Sequence, residues 1–355
     1  MVKKIGGKLM NIVIVGPGAI GCAVAASIGR TNPSVYLLGR EYHKEHFIKN
    51  PAVFKTKEEV ISSKVTPITI EDLTKENIKP DAVFITLKAN LTIPFMKELE
   101  QHIPHDTFIV SLQNSLISQD IYDKTAFKNV IACVVGYNIF TEETGVAVQA
   151  SAGDIVIGRI TEDHFGSQSG EVPDFIFEQL KLAAPTSIST NITSDLWMKL
   201  MINSTINPIC AIGNLTLGEL YLNQPALIVA MWVWKELVHV VDAMKLKLNP
   251  FQGQLHANML YSYDIISYGI SRTVVYRMTG LHGDAIVSML QDLRANKTTE
   301  IDFLNGRVLE TGKKNGVEMP INELLIETIK KLEAGDSKPS EGFLNKLYRD
   351  IVLSK

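Results

Sequence analysis

The segment Asn11-Ile-Val-Ile-Val-Gly-Pro-Gly-Ala-Ile-Gly21 decides the fold of the first half of the chain. Residues 12–15 are apolar and β-branched, as is typical of a buried parallel strand. The glycines then follow in the spacing Gly-x-Gly-x-x-Gly, and the small residues 22–28 predict a helix directly after them. Because a strand, this glycine spacing and a helix occur in that order, the segment predicts a dinucleotide-binding turn.

The glycines of this turn have different physical tasks. Gly16 permits the tight turn, Gly18 lets the backbone approach a pyrophosphate, and Gly21 permits close packing of the helix on the strand. The N-terminus of the following helix supplies positive potential for the anion. The residues expected to bind the cofactor here are Gly16, Pro17, Gly18, Ala19, Ile20 and Gly21.

Along the chain, the predicted pattern changes from alternating strands and helices to helices alone. Further strands are predicted at 35–38, 82–87, 107–112 and 130–135, with a hairpin or edge strands at 147–150 and 154–158. From residue 194 onward, helices are predicted at 195–211, 224–246, 252–265, 283–295, 299–314 and 321–333. The sequence therefore predicts an α/β Rossmann domain with a doubly wound parallel sheet over 1–190, followed by an all-helical domain over 191–355.

The composition argues against several classes of protein. The net charge is −3 without a dense basic run, which argues against nucleic acid as a partner. No apolar run reaches the roughly 18 residues of a membrane span, and no cleavage region follows the N-terminal charges. Cys22, Cys133 and Cys210 lack metal-site spacing and are expected to be buried free thiols. We therefore expect a cytoplasmic protein without a metal site.

Three residues that follow strands are candidates for cofactor contacts. The end of the second strand usually carries an acidic residue in NAD enzymes and an arginine in NADP enzymes, and Arg40 stands there. Glu41 is the alternative if the strand register differs by one or two residues. Lys88 and Asn114 also follow strands, at the carboxyl ends where ligands of open α/β sheets bind. This pattern favours NADP(H) as the cofactor.

The predicted helix that begins near Asp195 carries a polar stripe on an apolar background. Lys199, Asn203 and Asn207 lie four residues apart and so share one helix face, while most other positions are apolar. Buried lysine and asparagine side chains require partners. The stripe therefore predicts a site for a polar, anionic ligand. If the chain is a dehydrogenase, Lys199 rather than a histidine is the expected proton donor.

A second polar segment follows later in the chain. Ser288 belongs to one predicted helix and Glu300 to the next, with a break at 296–299 and Thr298 or Thr299 as the N-cap. After such a break, Glu300 is able to approach the same site as Ser288. Stabilisation of a helix N-terminus is the simpler interpretation of Glu300.

These segments together resemble the ketopantoate reductases (2-dehydropantoate 2-reductases). The resemblance is carried in order by the glycine turn, the Leu196–Pro208 segment with its stripe, Ser288-Met-Leu-Gln-Asp292 and Thr299-Glu-Ile-Asp-x-x-Asn-Gly306. It implies a Rossmann domain followed by a helical domain like that of 6-phosphogluconate dehydrogenase. It also implies NADPH-dependent reduction of 2-dehydropantoate to pantoate, a step towards pantothenate and coenzyme A.

The resemblance also implies roles for single residues. Lys199 resembles the catalytic lysine and Glu300 the acid that contacts the substrate hydroxyl. Arg40 and Lys88 resemble residues that receive the 2′-phosphate. The residues that resemble substrate contacts are Asn114, which also lies next to the cofactor, Asn203, Asn207 and Ser288.

The chain departs from the family pattern around the substrate. Ser115 stands where a glycine is usual, Asn90 where glutamine is frequent, and Ala285 where a polar residue is frequent. Three alternatives therefore stay open: a reductase of another 2-oxo acid, a β-hydroxyacid or opine-type dehydrogenase, and a non-catalytic NADP(H)-binding sensor. A homodimer stays open as the assembly.

Overall fold

The computed structural model describes residues 10–163, 168–250, 257 and 283–353. Tertiary contacts divide the chain into two compact units, Met1–Leu196 and Trp197–Lys355. The division falls inside one long helix, Ile192–Gly213, whereas the sequence suggested a boundary between residues 190 and 191.

The first unit combines α-helices with two β-sheets. Its strands are β1 (Ile12–Val15), β2 (Val35–Leu38), β3 (Ala52–Lys55), β4 (Val60–Ser63), β5 (Thr66–Ile68), β6 (Ala82–Ile85), β7 (Phe108–Ser111), β8 (Val130–Val135), β9 (Ile139–Glu143), β10 (Val146–Gln149), β11 (Ile155–Arg159) and β12 (Thr186–Ile188). Its helices are α1 (Ala19–Gly29), α2 (Glu41–Lys49), α3 (Ile70–Lys75), α4 (Ala89–Leu99), α5 (Ile117–Lys124) and α6 (Asp174–Leu180).

The larger sheet is doubly wound. Its strand order is β12-β11-β8-β7-β6-β1-β2-β5, and all neighbours are parallel except β8 and β11. The chain passes from β1 to β2 on one side and later reaches β6 on the other side of β1. Such a reversal opens a crevice at the carboxyl ends of the strands, where ligands of these folds bind. The fold class predicted from the sequence is confirmed.

A smaller sheet of order β4-β3-β10-β9 covers helix α1. Helix α1 contacts β3, β4 and β10 of this sheet as well as β1 and β2 of the larger one. Every residue from Gly21 to Ile28 is consequently buried. Small side chains such as Ala23, Ala25 and Ala26 suit a helix that is enclosed on both sides.

The expectation of a hairpin or of edge strands at 147–150 and 154–158 was wrong, because the two strands do not pair and neither lies at the edge of its sheet. Strand β10 pairs with β3 and β9 in the smaller sheet, whereas β11 pairs with β8 and β12 in the larger one. The two strands are close in sequence but belong to different sheets. Local periodicity gives no information about the pairing of β10 with β3, which lies about ninety residues earlier in the chain.

The second unit contains helices joined by irregular segments, without a strand, over its described residues. Its helices, with the long helix that enters it, are α7 (Ile192–Gly213), α8 (Leu217–Leu222), α9 (Gln224–Ala243), α10 (Ser288–Arg294), α11 (Asn305–Lys314), α12 (Pro320–Glu333) and α13 (Glu341–Leu353). The prediction of a helical second half is confirmed, although α8 and α13 were missed. The helix predicted at 252–265 lies outside the described residues apart from Ala257.

The thiols are buried as expected. Cys22, Cys133 and Cys210 are free and buried. Burial raises the pKa of Cys22 to about 12 and raises the pKa of Cys133 and Cys210 as well, so none is a ready nucleophile. Within the described ranges, no three His, Cys, Asp or Glu residues are grouped in a way that would hold a metal ion. The helices in those ranges are also too short or too polar to cross a bilayer.

Candidate active site

The glycine turn has the geometry that a dinucleotide pyrophosphate requires. Gly16 adopts the left-handed backbone, with φ of +97°, which glycine adopts without strain. A Cβ atom on Gly21 would lie 2.0 Å from the Gly16 carbonyl oxygen, so this position must lack a side chain. A Cβ on Gly18, at the N-cap of α1, would meet no atom within 4 Å. The turn therefore has no space for a side chain where it packs against its own helix, but it has space for a ligand at Gly18.

The loops that follow β6 and β7 lie next to this turn. Lys88 is the exposed N-cap of α4, and Asn114 is half-buried after β7. Gln113 joins the two loops, because its Nε2 donates to the Leu87 carbonyl at 2.7 Å and also to the Thr92 hydroxyl. Both candidates therefore lie at the carboxyl edge of the sheet, as expected. Sequence reasoning missed the buried Gln113, whose only signal was its place directly before Asn114.

Ser115 follows Asn114 in a strained conformation. Its φ is +69°, in the left-handed region that costs an L-residue about 1–2 kcal/mol. The side chain is buried. The glycine that the family pattern has at this position would adopt the same backbone without that cost.

We expect Ser115→Val to lower the free energy of unfolding by about 1–2 kcal/mol relative to Ser115→Gly, because a β-branched residue is strongly disfavoured at positive φ. Urea denaturation of both variants measures the difference. Ser118→Val, on the adjacent helix α5 and equally buried, controls for the larger side chain. Equal stability of Ser115→Val and Ser115→Gly would contradict the predicted strain.

Arg40 lies beside the glycine turn. The Gly16 N–H donates to the Leu38 carbonyl at the end of β2, and Arg40 follows two residues later as the exposed N-cap of α2. Its backbone N–H donates to Nδ1 of His43 at 3.2 Å. Burial, together with the positive charges of Arg40 and His46, lowers the pKa of His43. Glu41, the alternative candidate, is the exposed first residue of α2.

Helix α7 carries the predicted polar stripe without interruption. Lys199 is half-buried, and Asn203 and Asn207 are each only 8% exposed. The other positions between Lys199 and Asn207 are all buried, and they are apolar except for Ser204 and Thr205. The ammonium group and the two amides therefore lie on one face of a buried helix, as the spacing predicted.

Ser288 and Glu300 lie on separate segments of the second unit. Ser288 is the exposed first residue of α10, and the loop before it is held by hydrogen bonds from the Leu217 and Gly218 N–H groups to carbonyl oxygens. Glu300 is half-buried in a turn that precedes α11. The expected helix start at Thr298 or Thr299 was wrong, because the chain makes this turn first and the helix begins only at Asn305.

Asn305, at the end of the Glu300 turn, joins this segment to the stripe helix. Its Nδ2 donates to the Ser204 carbonyl of α7 at 2.7 Å, and its side chain is completely buried. The structure therefore brings the Glu300 turn against α7 next to Asn203. Asn305 belongs to the Thr299–Gly306 segment noted in the sequence, but the helical spacing of residues did not indicate a function for it.

Comparisons with known proteins agree with this arrangement over most of the chain. The family model described as "Ketopantoate reductase PanE/ApbA" matches residues 12–162. The model described as "Ketopantoate reductase PanE/ApbA C terminal" matches residues 191–333. A relative from Archaeoglobus fulgidus named 2-dehydropantoate 2-reductase is 28% identical over 92% of this chain and 99% of its own length.

Two solved structures share the fold. One is a PanE/ApbA family ketopantoate reductase from Ralstonia eutropha JMP134, with a TM-score of 0.74 and 22% identity over 92% of this chain and 99% of that one. The other is D-mandelate dehydrogenase with NADH and anilino(oxo)acetate, with a TM-score of 0.74 and 20% identity over the same shares. Since the two family models together match more than half of the residues, this chain belongs to the ketopantoate reductase family of oxidoreductases.

Proposed function

We propose that the protein reduces 2-dehydropantoate to pantoate with NADPH. The observation that carries this proposal is the Lys199, Asn203 and Asn207 stripe on one face of α7, in a chain that also holds the glycine turn. A ligand with a carboxylate and a ketone matches an ammonium group followed by two amide groups on the same helix face. The name of the Archaeoglobus fulgidus relative supports this substrate.

The roles of the residues follow from their chemistry. A bound nicotinamide would supply the hydride. Lys199 polarises the ketone oxygen and donates the proton that this oxygen acquires. Asn203 and Asn207 orient the substrate with their amide groups, together with Ser288 and Asn114. Glu300 accepts a hydrogen bond from the hydroxyl at the other end of the substrate, which distinguishes 2-dehydropantoate from simpler 2-oxo acids.

Reduction assays with a panel of 2-oxo acids test this function. 2-Dehydropantoate, pyruvate, 3-methyl-2-oxobutanoate and phenylglyoxylate are each offered with NADPH and with NADH, and nicotinamide absorbance is followed. We expect the highest kcat/KM for 2-dehydropantoate with NADPH. A preference for phenylglyoxylate, pyruvate or 3-methyl-2-oxobutanoate would favour the alternative of a reductase of another 2-oxo acid. Binding of NADPH without any reduction would favour the sensor. The homodimer stays a prediction.

The preference for NADPH is proposed to depend on Arg40, with Lys88 as a second cation. We expect Arg40→Ala to raise the KM for NADPH at least 10-fold and to leave the KM for NADH within about 2-fold, since a charge-assisted hydrogen bond contributes about 1.5–3 kcal/mol. Lys49→Ala, at the exposed far end of α2, is the matched control. An equal effect on both cofactors would contradict a contact with the 2′-phosphate.

A further inference from the structure

Helix α7 contains a proline within its regular part. Pro208 lies inside Ile192–Gly213 and has no backbone N–H. In an α-helix this N–H would donate to the carbonyl four residues earlier, which is that of Ser204. Ser204 is completely buried, so bulk solvent does not reach its carbonyl. The helix therefore needs a donor from elsewhere at the middle of the stripe.

Asn305 supplies this donor from another helix. One of its two Nδ2 hydrogens points to the Ser204 carbonyl at 2.7 Å and the other to Oδ1 of Asn322 at 2.9 Å. Its own Oδ1 is buried and has no hydrogen-bond partner among the described residues. The site thus uses both donors of the amide and leaves its acceptor unused, which indicates that the donors are what the fold requires.

A buried carboxylate fixes the orientation of this amide. Glu236 on α9 accepts from the backbone N–H groups of Ile321 and Asn322 at the start of α12, each at 2.9 Å. It also accepts from Nδ2 of Asn322 at 2.8 Å. Because both oxygens of Glu236 already accept from backbone N–H groups, Asn322 directs its NH₂ to Glu236 and its oxygen to Asn305. Asn305 must then present its own NH₂ to α7.

We propose that Asn305 is a positioning residue that replaces the hydrogen bond removed by Pro208, with Asn322 and Glu236 holding it in orientation. The Ser204 carbonyl lies between Asn203 and Asn207, so this bond fixes the backbone from which both amides of the stripe project. The predicted effect on turnover rests on the proposed function, whereas the hydrogen-bonding role of Asn305 does not.

A double-mutant cycle tests the inference, because Pro208→Ala restores the missing N–H within the helix. We expect Asn305→Leu to lower kcat/KM for 2-dehydropantoate 10- to 100-fold and to change the NADPH Kd less than 2-fold. In the Pro208→Ala background, the same Asn305→Leu change should cost less than 5-fold. Thr311→Val is the matched control, since this half-buried hydroxyl on α11 donates to a carbonyl of its own helix, that of Arg307. It should leave kcat/KM within 2-fold.

Amide hydrogen exchange of a peptide covering residues 197–213 tests the same bond without any turnover. We expect at least 10-fold faster exchange in Asn305→Leu, and a return towards the wild-type rate when Pro208→Ala is added. Unchanged exchange in Asn305→Leu, or an equal increase in both backgrounds, would overturn the inference. If the wild-type protein reduces no 2-oxo acid, the proposed function fails, but this measurement still decides the role of Asn305.

Glu236, at the other end of this series of hydrogen bonds, offers a second variant. If Asn305→Leu yields no folded protein, Glu236→Gln keeps the size of the side chain but introduces an NH₂ group where only acceptors fit. In either orientation of the new amide, its NH₂ faces the backbone N–H of Ile321 or of Asn322, so the start of α12 that carries Asn322 is held less firmly. We expect at least 3-fold faster exchange in the same α7 peptide. Exchange at the wild-type rate would overturn the proposed role of Glu236 and Asn322.

Discussion

Lys199→Ala should lower kcat by at least three orders of magnitude, with little change in NADPH affinity. General acid catalysis contributes about 10²–10⁴-fold, and loss of the ammonium charge adds to this loss. Lys199 is half-buried on α7 in the second unit, while the glycine turn lies in the first. The measurement is steady-state turnover of 2-dehydropantoate, combined with NADPH titration by fluorescence.

Lys199→Arg separates proton donation from charge. Arginine keeps the positive charge but does not release its proton in proteins, so we expect turnover to stay at least 100-fold below wild type. Lys297→Ala, at an exposed site of the same unit, is the control and should leave kcat unchanged. Wild-type turnover in Lys199→Ala would contradict the proposed mechanism. Near-wild-type turnover in Lys199→Arg would show that the charge alone suffices.

Gly21→Ala should abolish NADPH binding, with a Kd raised more than 100-fold. The added Cβ would lie 2.0 Å from the Gly16 carbonyl oxygen and 2.7 Å from the Thr86 hydroxyl, so the turn or α1 must move. Overpacking of this kind typically costs about 1–3 kcal/mol, so we also expect a lower midpoint of thermal unfolding in the absence of ligand.

Gly18→Ala is compared with Gly21→Ala because it separates an effect on cofactor binding from an effect on stability. A Cβ at Gly18 would meet nothing within 4 Å, so the ligand-free protein should unfold at the wild-type temperature. If the backbone at Gly18 approaches a pyrophosphate, NADPH should nevertheless bind at least 10-fold more weakly. Wild-type NADPH affinity in Gly18→Ala would show that the open side of the turn is not where the dinucleotide binds.

The features that could be predicted from the sequence are those that depend on neighbouring residues. The glycine turn is specified within eleven residues, and the stripe follows from the helical period alone. The missed features depend on distant partners. The pairing of β10 with β3, the late start of α11 and the bond from Asn305 to Ser204 all join segments that are far apart in the chain. Pro208 was the visible sign that α7 needed a donor, but nothing in the sequence identified Asn305 as that donor.

The enclosure of α1 between two sheets affects the electric field at the glycine turn. Protein rather than water surrounds the helix from Gly21 to Ile28, while Gly18 at its N-terminus is exposed. Peptide dipoles in such surroundings are poorly screened, since the local dielectric constant is far below that of water. The positive end of the helix therefore acts on an anion at Gly18 with less screening than the end of a solvent-exposed helix would have. The smaller sheet, which contributes none of the candidate site residues, would in this way strengthen binding of a pyrophosphate.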